Sequence, residues 1–116
     1  MTSDKKKLPF TQLMVSIMPK KPGTYTLWNK KGQVIFIGAA NKPNSLHNEL
    51  KHHFENEHSI SIDGIYDFQV EVCNDPGRQQ IKHLENFKKS YGYLPDYNEE
   101  RSLSSNKEGS AYSQFE

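Results

Sequence analysis

Two short β runs separated by a polar turn set the tightest limit on what this chain folds into. Thr24-Tyr25-Thr26-Leu27-Trp28 is rich in β-branched and aromatic residues, and so is Gln33-Val34-Ile35-Phe36-Ile37. Between them, Asn29-Lys30-Lys31-Gly32 supplies turn residues ending in glycine. Runs of this kind at this distance read as an antiparallel hairpin. A hairpin alone is marginal in water and needs a further strand and a covering layer. Phe68, Val70 and Val72 alternate with Gln69, Glu71 and Cys73, the pattern of a half-buried strand. Phe10, Leu13, Met14, Ile17 and Met18 recur at helical spacing, and Pro19 ends that helix. A second helix starts after Ser45 or Asn44, with Leu46, Leu50, His53 and Phe54 on its apolar face and Glu49 off its centre. A third starts after Asn74 or Asp75, with Pro76 at its first position, an apolar stripe of Ile81, Leu84, Phe87 and Tyr91, and Gly92 as its cap. The expected fold is α/β (α+β), a small central three-stranded sheet flanked by helices.

The boundaries follow from where apolar residues thin out. Only 34% of the residues are hydrophobic and 25% are charged, and the shortage lies at the ends. Residues 1–8 are expected to be disordered. Residues 9–98 form one domain, made of a leading helix (9–19) and a core (20–98). Residues 99–116, dominated by Ser, Glu, Asn and Gly, read as a disordered tail. No apolar run approaches the roughly 20 residues of a membrane helix. No apolar stretch of signal-peptide length follows Lys5-Lys6-Lys7, so a cytoplasmic protein without membrane contact is expected. The single cysteine, Cys73, excludes an internal disulfide and has no nucleophilic partner nearby in sequence.

Charge is unevenly spread. Residues 1–54 carry nine lysines against Asp4 and Glu49, whereas the remainder is acidic. Lys20, Lys21, Lys30 and Lys31 flank the hairpin in sequence. They are candidates for phosphate contact around a cleft near Tyr25, although lysines in turns also serve solubility alone.

The hairpin carries a resemblance. Gly23-Thr24-Tyr25, ten residues, then Phe36-Ile37-Gly38, preceded by Pro22 and followed by a helix at Ser45-Leu46, resembles the signature of the GIY-YIG nuclease domain. The closing Pro95-Asp96-Tyr97-Asn98 is similar to that family's last segment. Gly64-Ile65-Tyr66 is a decoy, because no second triplet follows it at the right distance. The resemblance spans about 80 residues. It implies metal-dependent hydrolysis of a nucleic-acid phosphodiester. In that family, hairpin tyrosines help to activate water, a helix arginine stabilises charge on phosphate, and a glutamate holds magnesium or manganese. Carried over residue by residue, Tyr25 matches the first tyrosine, His53 a histidine that many members carry, Glu85 the metal glutamate and Asn98 the closing asparagine.

Two positions depart from the pattern. Phe36 stands where the second tyrosine belongs and has no hydroxyl to relay a proton. Glu49 stands where the arginine belongs. At about 4 Å and an effective dielectric near 20, one charge pair is worth about 4 kcal/mol, and here the sign is reversed. Each residue also has a structural account. Tyr25, Phe36 and Trp28 suit a sheet core, Glu49 a solvated helix face, His53 packing beside Phe54, and Glu85 the edge of an apolar stripe. Three functions stay open. The domain binds DNA or RNA through a basic cleft without cutting it, or it is a protein-interaction module on the same scaffold. Otherwise it is an active but atypical endonuclease, in which Glu49 and Glu85 share the metal.

Overall fold

In the computed structural model, which describes residues 6–55 and 64–98, the described residues build four antiparallel strands and three helices, with a helical turn at 96–98. These are β1 (Leu8–Pro9), α1 (Gln12–Ser16), β2 (Gly23–Trp28), β3 (Val34–Ala40), α2 (Leu46–Phe54), β4 (Asp67–Val72) and α3 (Pro76–Tyr91). The strand order is β1-β4-β2-β3, with every pairing antiparallel. The hairpin therefore supplies the centre of the sheet, β2, and one edge, β3. The sheet has four strands where three were expected. The extra one is a two-residue edge, Leu8 opposite Phe68 and Pro9 opposite Asp67. The expectation of disorder through residue 8 fails for the same reason. Too short to show an alternating pattern, β1 is held only by its partner strand. The expectations for residues 1–5 and 99–116 fall outside the described residues.

Local chemistry accounts for the hairpin turn. Asn29 Oδ1 accepts from the backbone N–H groups of Lys31 and Gln33 at 3.0 and 2.9 Å. Gly32 takes a φ of 79°, a left-handed conformation that glycine adopts freely. Both long helices are capped as their sequences imply. Ser45 Oγ accepts from Asn48 N–H at 3.2 Å. Asp75 caps α3 through Arg78 N–H at 3.4 Å, and Gly92 closes it with a φ of 85°.

The sheet's two faces are unequal. Tyr25, Leu27 and Phe36 point toward α1 and α2 and join Phe10, Val15, Leu46, Leu50 and Phe68 in one core. Leu27, Leu46, Leu50 and Phe68 have no exposed surface. The leading helix is one and a half turns rather than 9–19, and Leu13 and Ile17 are largely exposed while Val15 is buried. So short an element cannot carry a stripe, and its inward residue is chosen by the core. On the other face lies α3, of which only Pro76 is buried. Ile81 and Tyr91, expected in its apolar stripe, are exposed. Polar contacts dock this helix instead. Gln80 Nε2 donates to Ile37 O at 3.0 Å, and His83 Nε2 meets Glu71 Oε1 at 3.1 Å. No helix among the described residues is long and apolar enough to cross a membrane.

Candidate functional site

Tyr25 lies mid-hairpin, opposite Gly38. A Cβ at Gly38 would collide with the Tyr25 ring and stand 2.7 Å from the Phe36 ring. Glycine at this position lets the tyrosine ring lie across the neighbouring strand. Gly23 has a comparable reason: a Cβ there would run into the Glu71 carbonyl and stand 2.8 Å from Leu46 Cδ1. The two glycines of the hairpin motif are thus close-approach positions, one for a ring and one for a neighbouring strand and α2.

Three rings meet behind Gly38. Tyr25 and Phe36 centroids are 5.9 Å apart, Tyr25 and His53 5.5 Å, and Phe36 and His53 5.6 Å. His53 is fully buried, and Tyr25 and Phe36 nearly so. The Tyr25 hydroxyl lies 2.9 Å from His53 Nε2 and 3.3 Å from Glu49 Oε1. A hydroxyl carries one proton and can give it to one acceptor. Both contacts are satisfied when His53 holds its proton on Nε2 and donates to Tyr25, which in turn donates to Glu49. Asn44 Nδ2 donates to the other Glu49 oxygen, while Asn44 Oδ1 accepts from Ser45 N–H. Tyr25 thus links His53 to Glu49, and Asn44 holds the other carboxylate oxygen.

Of the residues singled out in the sequence, Tyr25, Phe36, Glu49 and His53 come together. Asn98 does a different task. Its side chain accepts from Ile37 N–H at 2.8 Å and donates to Ile37 O at 2.9 Å. It thereby covers the outer edge of β3 as another strand would, and it is buried in doing so. Glu85 is not brought to the cluster. Gln80, His83 and Phe87 mark the side of α3 that faces the sheet. Glu85 points away from it, exposed, beside Lys88 and Lys89. Glu49 and Glu85 lie on opposite sides of the sheet, so one ion is not held by both. Among the described residues, no group of three or more His, Cys, Asp or Glu could hold a metal ion. A lone exposed carboxylate between lysines does not fit a divalent metal, and no step is derived through one.

The lysines divide as well. Lys20 and Lys21 precede β2, next to the Tyr25 end, whereas Lys30 and Lys31 sit in the turn at its other end. Six strand residues at about 3.3 Å each separate the pairs by roughly 20 Å, so they do not surround one cleft mouth. All four are exposed. Burial, and then the nearby Glu71 carboxylate, push the Cys73 thiol up, which disfavours a nucleophilic thiolate. Sequence reasoning missed the part of Asn44 that holds Glu49, since Asn44 read only as a possible cap. It also missed the His83–Glu71 pair, whose members lie twelve residues apart with no local signal.

No protein-family model, curated protein or solved structure matches this chain.

Proposed function

We propose that this is a GIY-YIG-like domain in which the hydrolytic centre has become a structural network, and that it binds nucleic acid without cutting it. One observation carries the reading. The Tyr25 hydroxyl is buried and held between His53 and Glu49, where the resemblance calls for a hydroxyl open to water and a cation ready for phosphate. Phe36, with no hydroxyl at the second position, supports it, and so does the remoteness of Glu85. Exposed lysines at both ends of the hairpin support retained affinity for phosphates. The proposed setting is the cytoplasm. A protein partner is the second reading, favoured by the exposed Ile81, Tyr91 and Tyr93.

The test is a cleavage assay on DNA and RNA with magnesium and with manganese, run beside an anisotropy titration at several salt concentrations. The expected result is no cleavage and salt-sensitive binding, with a log-log slope of about −3 for three or four phosphate contacts. Efficient magnesium-dependent cleavage that Glu85→Ala abolishes would overturn it.

A further inference from the structure

Beyond the Tyr25 cluster, the fold leaves aromatic rings in solvent that its own packing does not require. Phe87 and Tyr91 on the last turns of α3 lie 4.5 Å apart between centroids. Tyr93 stands 6.2 Å from Phe87 and 6.3 Å from Tyr91. The left-handed Gly92 turns the chain back so that Tyr93 meets the helix it has just left. Tyr91 is 60% exposed and Tyr93 55%. These rings line one wall of a groove of about 310 Å³. Trp28 and the hairpin turn at Gly32 and Gln33 form the other wall, with Asp96 also on the lining.

Cations surround the groove. Lys30 and Lys31 occupy the turn itself, exposed. Lys88 is three residues from Tyr91 on α3 and so its surface neighbour. Lys7 Nζ lies 4.8 Å from the centre of the Trp28 ring. Four lysines thus adjoin lining residues, while Asp96 lies on the lining and Asp67 opposite Trp28. A stack of exposed rings bordered by positive charge suits a polymer with flat faces and a regular negative charge. An apolar peptide or a second copy of this face would cover the rings and leave the lysines without anions. In a duplex the bases are already stacked on one another and offer the rings no face.

We propose that this groove binds single-stranded nucleic acid, stacking unpaired bases on Tyr91 and Tyr93 while Lys30, Lys31 and Lys88 neutralise the flanking phosphates. The proposal rests on the nucleic-acid reading above. It moves the contact from the hairpin cleft near Tyr25 to the α3 side of the sheet, at the turn end.

Trp28 is the only tryptophan of the chain, so its emission reports on this groove. The experiment titrates the full chain with oligo-dT, oligo-U, a DNA duplex and a proline-rich peptide, following anisotropy and Trp28 emission. Single strands are expected to shift the emission and to bind more tightly than the duplex, with a salt slope of about −2 for three contacts. Tyr91→Ala with Tyr93→Ala, both at exposed positions, should weaken single-strand binding about tenfold to a hundredfold. Tyr91→Phe, which keeps the ring, should bind as the natural protein does. If the double alanine variant binds unchanged while Lys20→Glu with Lys21→Glu abolishes binding, the groove is wrong and the broader reading survives. If no nucleic acid binds at low salt, both fall. A peptide that shifts Trp28 emission where no oligonucleotide does overturns the proposal in favour of a protein partner.

Discussion

The two faces of the central sheet follow opposite rules. Against α2, the sheet buries Tyr25, Leu27, Phe36 and Phe68 completely or nearly so, and the Tyr25 hydroxyl lies between His53 and Glu49. Against α3, a glutamine on a carbonyl and a histidine on a carboxylate join the buried Ile37 and a half-buried phenylalanine. Tyr25, Phe36, Glu49 and His53 fall on the closed face, where the Tyr25 ring is nearly fully buried. Exposed rings and lysines fall on the open face, where motif reasoning did not look. Gly38 beneath the Tyr25 ring and Gly23 against β4 are required by close approach whether or not any chemistry remains.

The largest expected difference is in stability. Phe68→Ala should cost about 3–5 kcal/mol, because it removes a fully buried ring from the centre of the core. Ile81→Ala on the open face should stay within about 0.5 kcal/mol. Urea unfolding of both variants measures the contrast, and equal costs would erase the asymmetry between the faces.

Gly38→Ala comes next. Its Cβ has no room beside the Tyr25 ring, so a loss of about 1–3 kcal/mol is expected. Tyr25→Ala removes the obstacle, and in that background the added methyl should cost markedly less. Additive losses in the double-mutant cycle would show that the glycine is needed for something other than the ring.

Glu49→Arg separates packing from ancestry. If the cluster only awaited its arginine, this change with Phe36→Tyr would raise cleavage. We expect the reverse. Arginine accepts no hydrogen bond, so Tyr25 and Asn44 lose the acceptor they share. A loss of about 1–3 kcal/mol is expected, with no gain in cleavage in magnesium or manganese. Thermal unfolding and the cleavage assay together decide it.

The smallest effect belongs to His83→Ala. The His83–Glu71 pair is about one third exposed on both sides and is screened by water. Its removal should cost less than about 1 kcal/mol while increasing amide exchange along α3. A larger global loss would mean that the open face is built as firmly as the closed one.

Most of the architecture was legible in the chain, because its signals are local. Alternation marks β2, β3 and β4, the caps Ser45 and Asp75 start the helices, and Gly92 ends the last one. Failures came where an element is too short for a period. Two residues of β1 and five of α1 take their places from partners, Phe68 across the strand and the core beneath Val15. The apolar stripe on α3 was present as a pattern but did not decide burial, since a helix hides its stripe only if the surface it meets is large and apolar. Here that surface mixes Ile37 and Val70 with the polar Thr24, Thr26, Gln69 and Glu71.

For the candidate site, the family resemblance singled out Tyr25, Phe36, Glu49, His53, Glu85 and Asn98, and the structure brings the first four together. Residue type alone determined that position 36 has no hydroxyl and that position 49 carries a carboxylate. What only the tertiary structure decided is how these groups are satisfied and which others stand near them. The partner of Asn98 is Ile37, 61 residues away, and nothing in either neighbourhood announces the other. Asn44 closes on Glu49 because a loop brings its amide there. Glu85 faces solvent on the far side because helix phase is set by His83 and Gln80 meeting the sheet. Residue type and spacing determine which chemistry a segment is able to offer. Which groups actually meet depends on long-range pairing, where the core fixes the orientation of each helix and polar groups then take whatever partners that orientation leaves within reach.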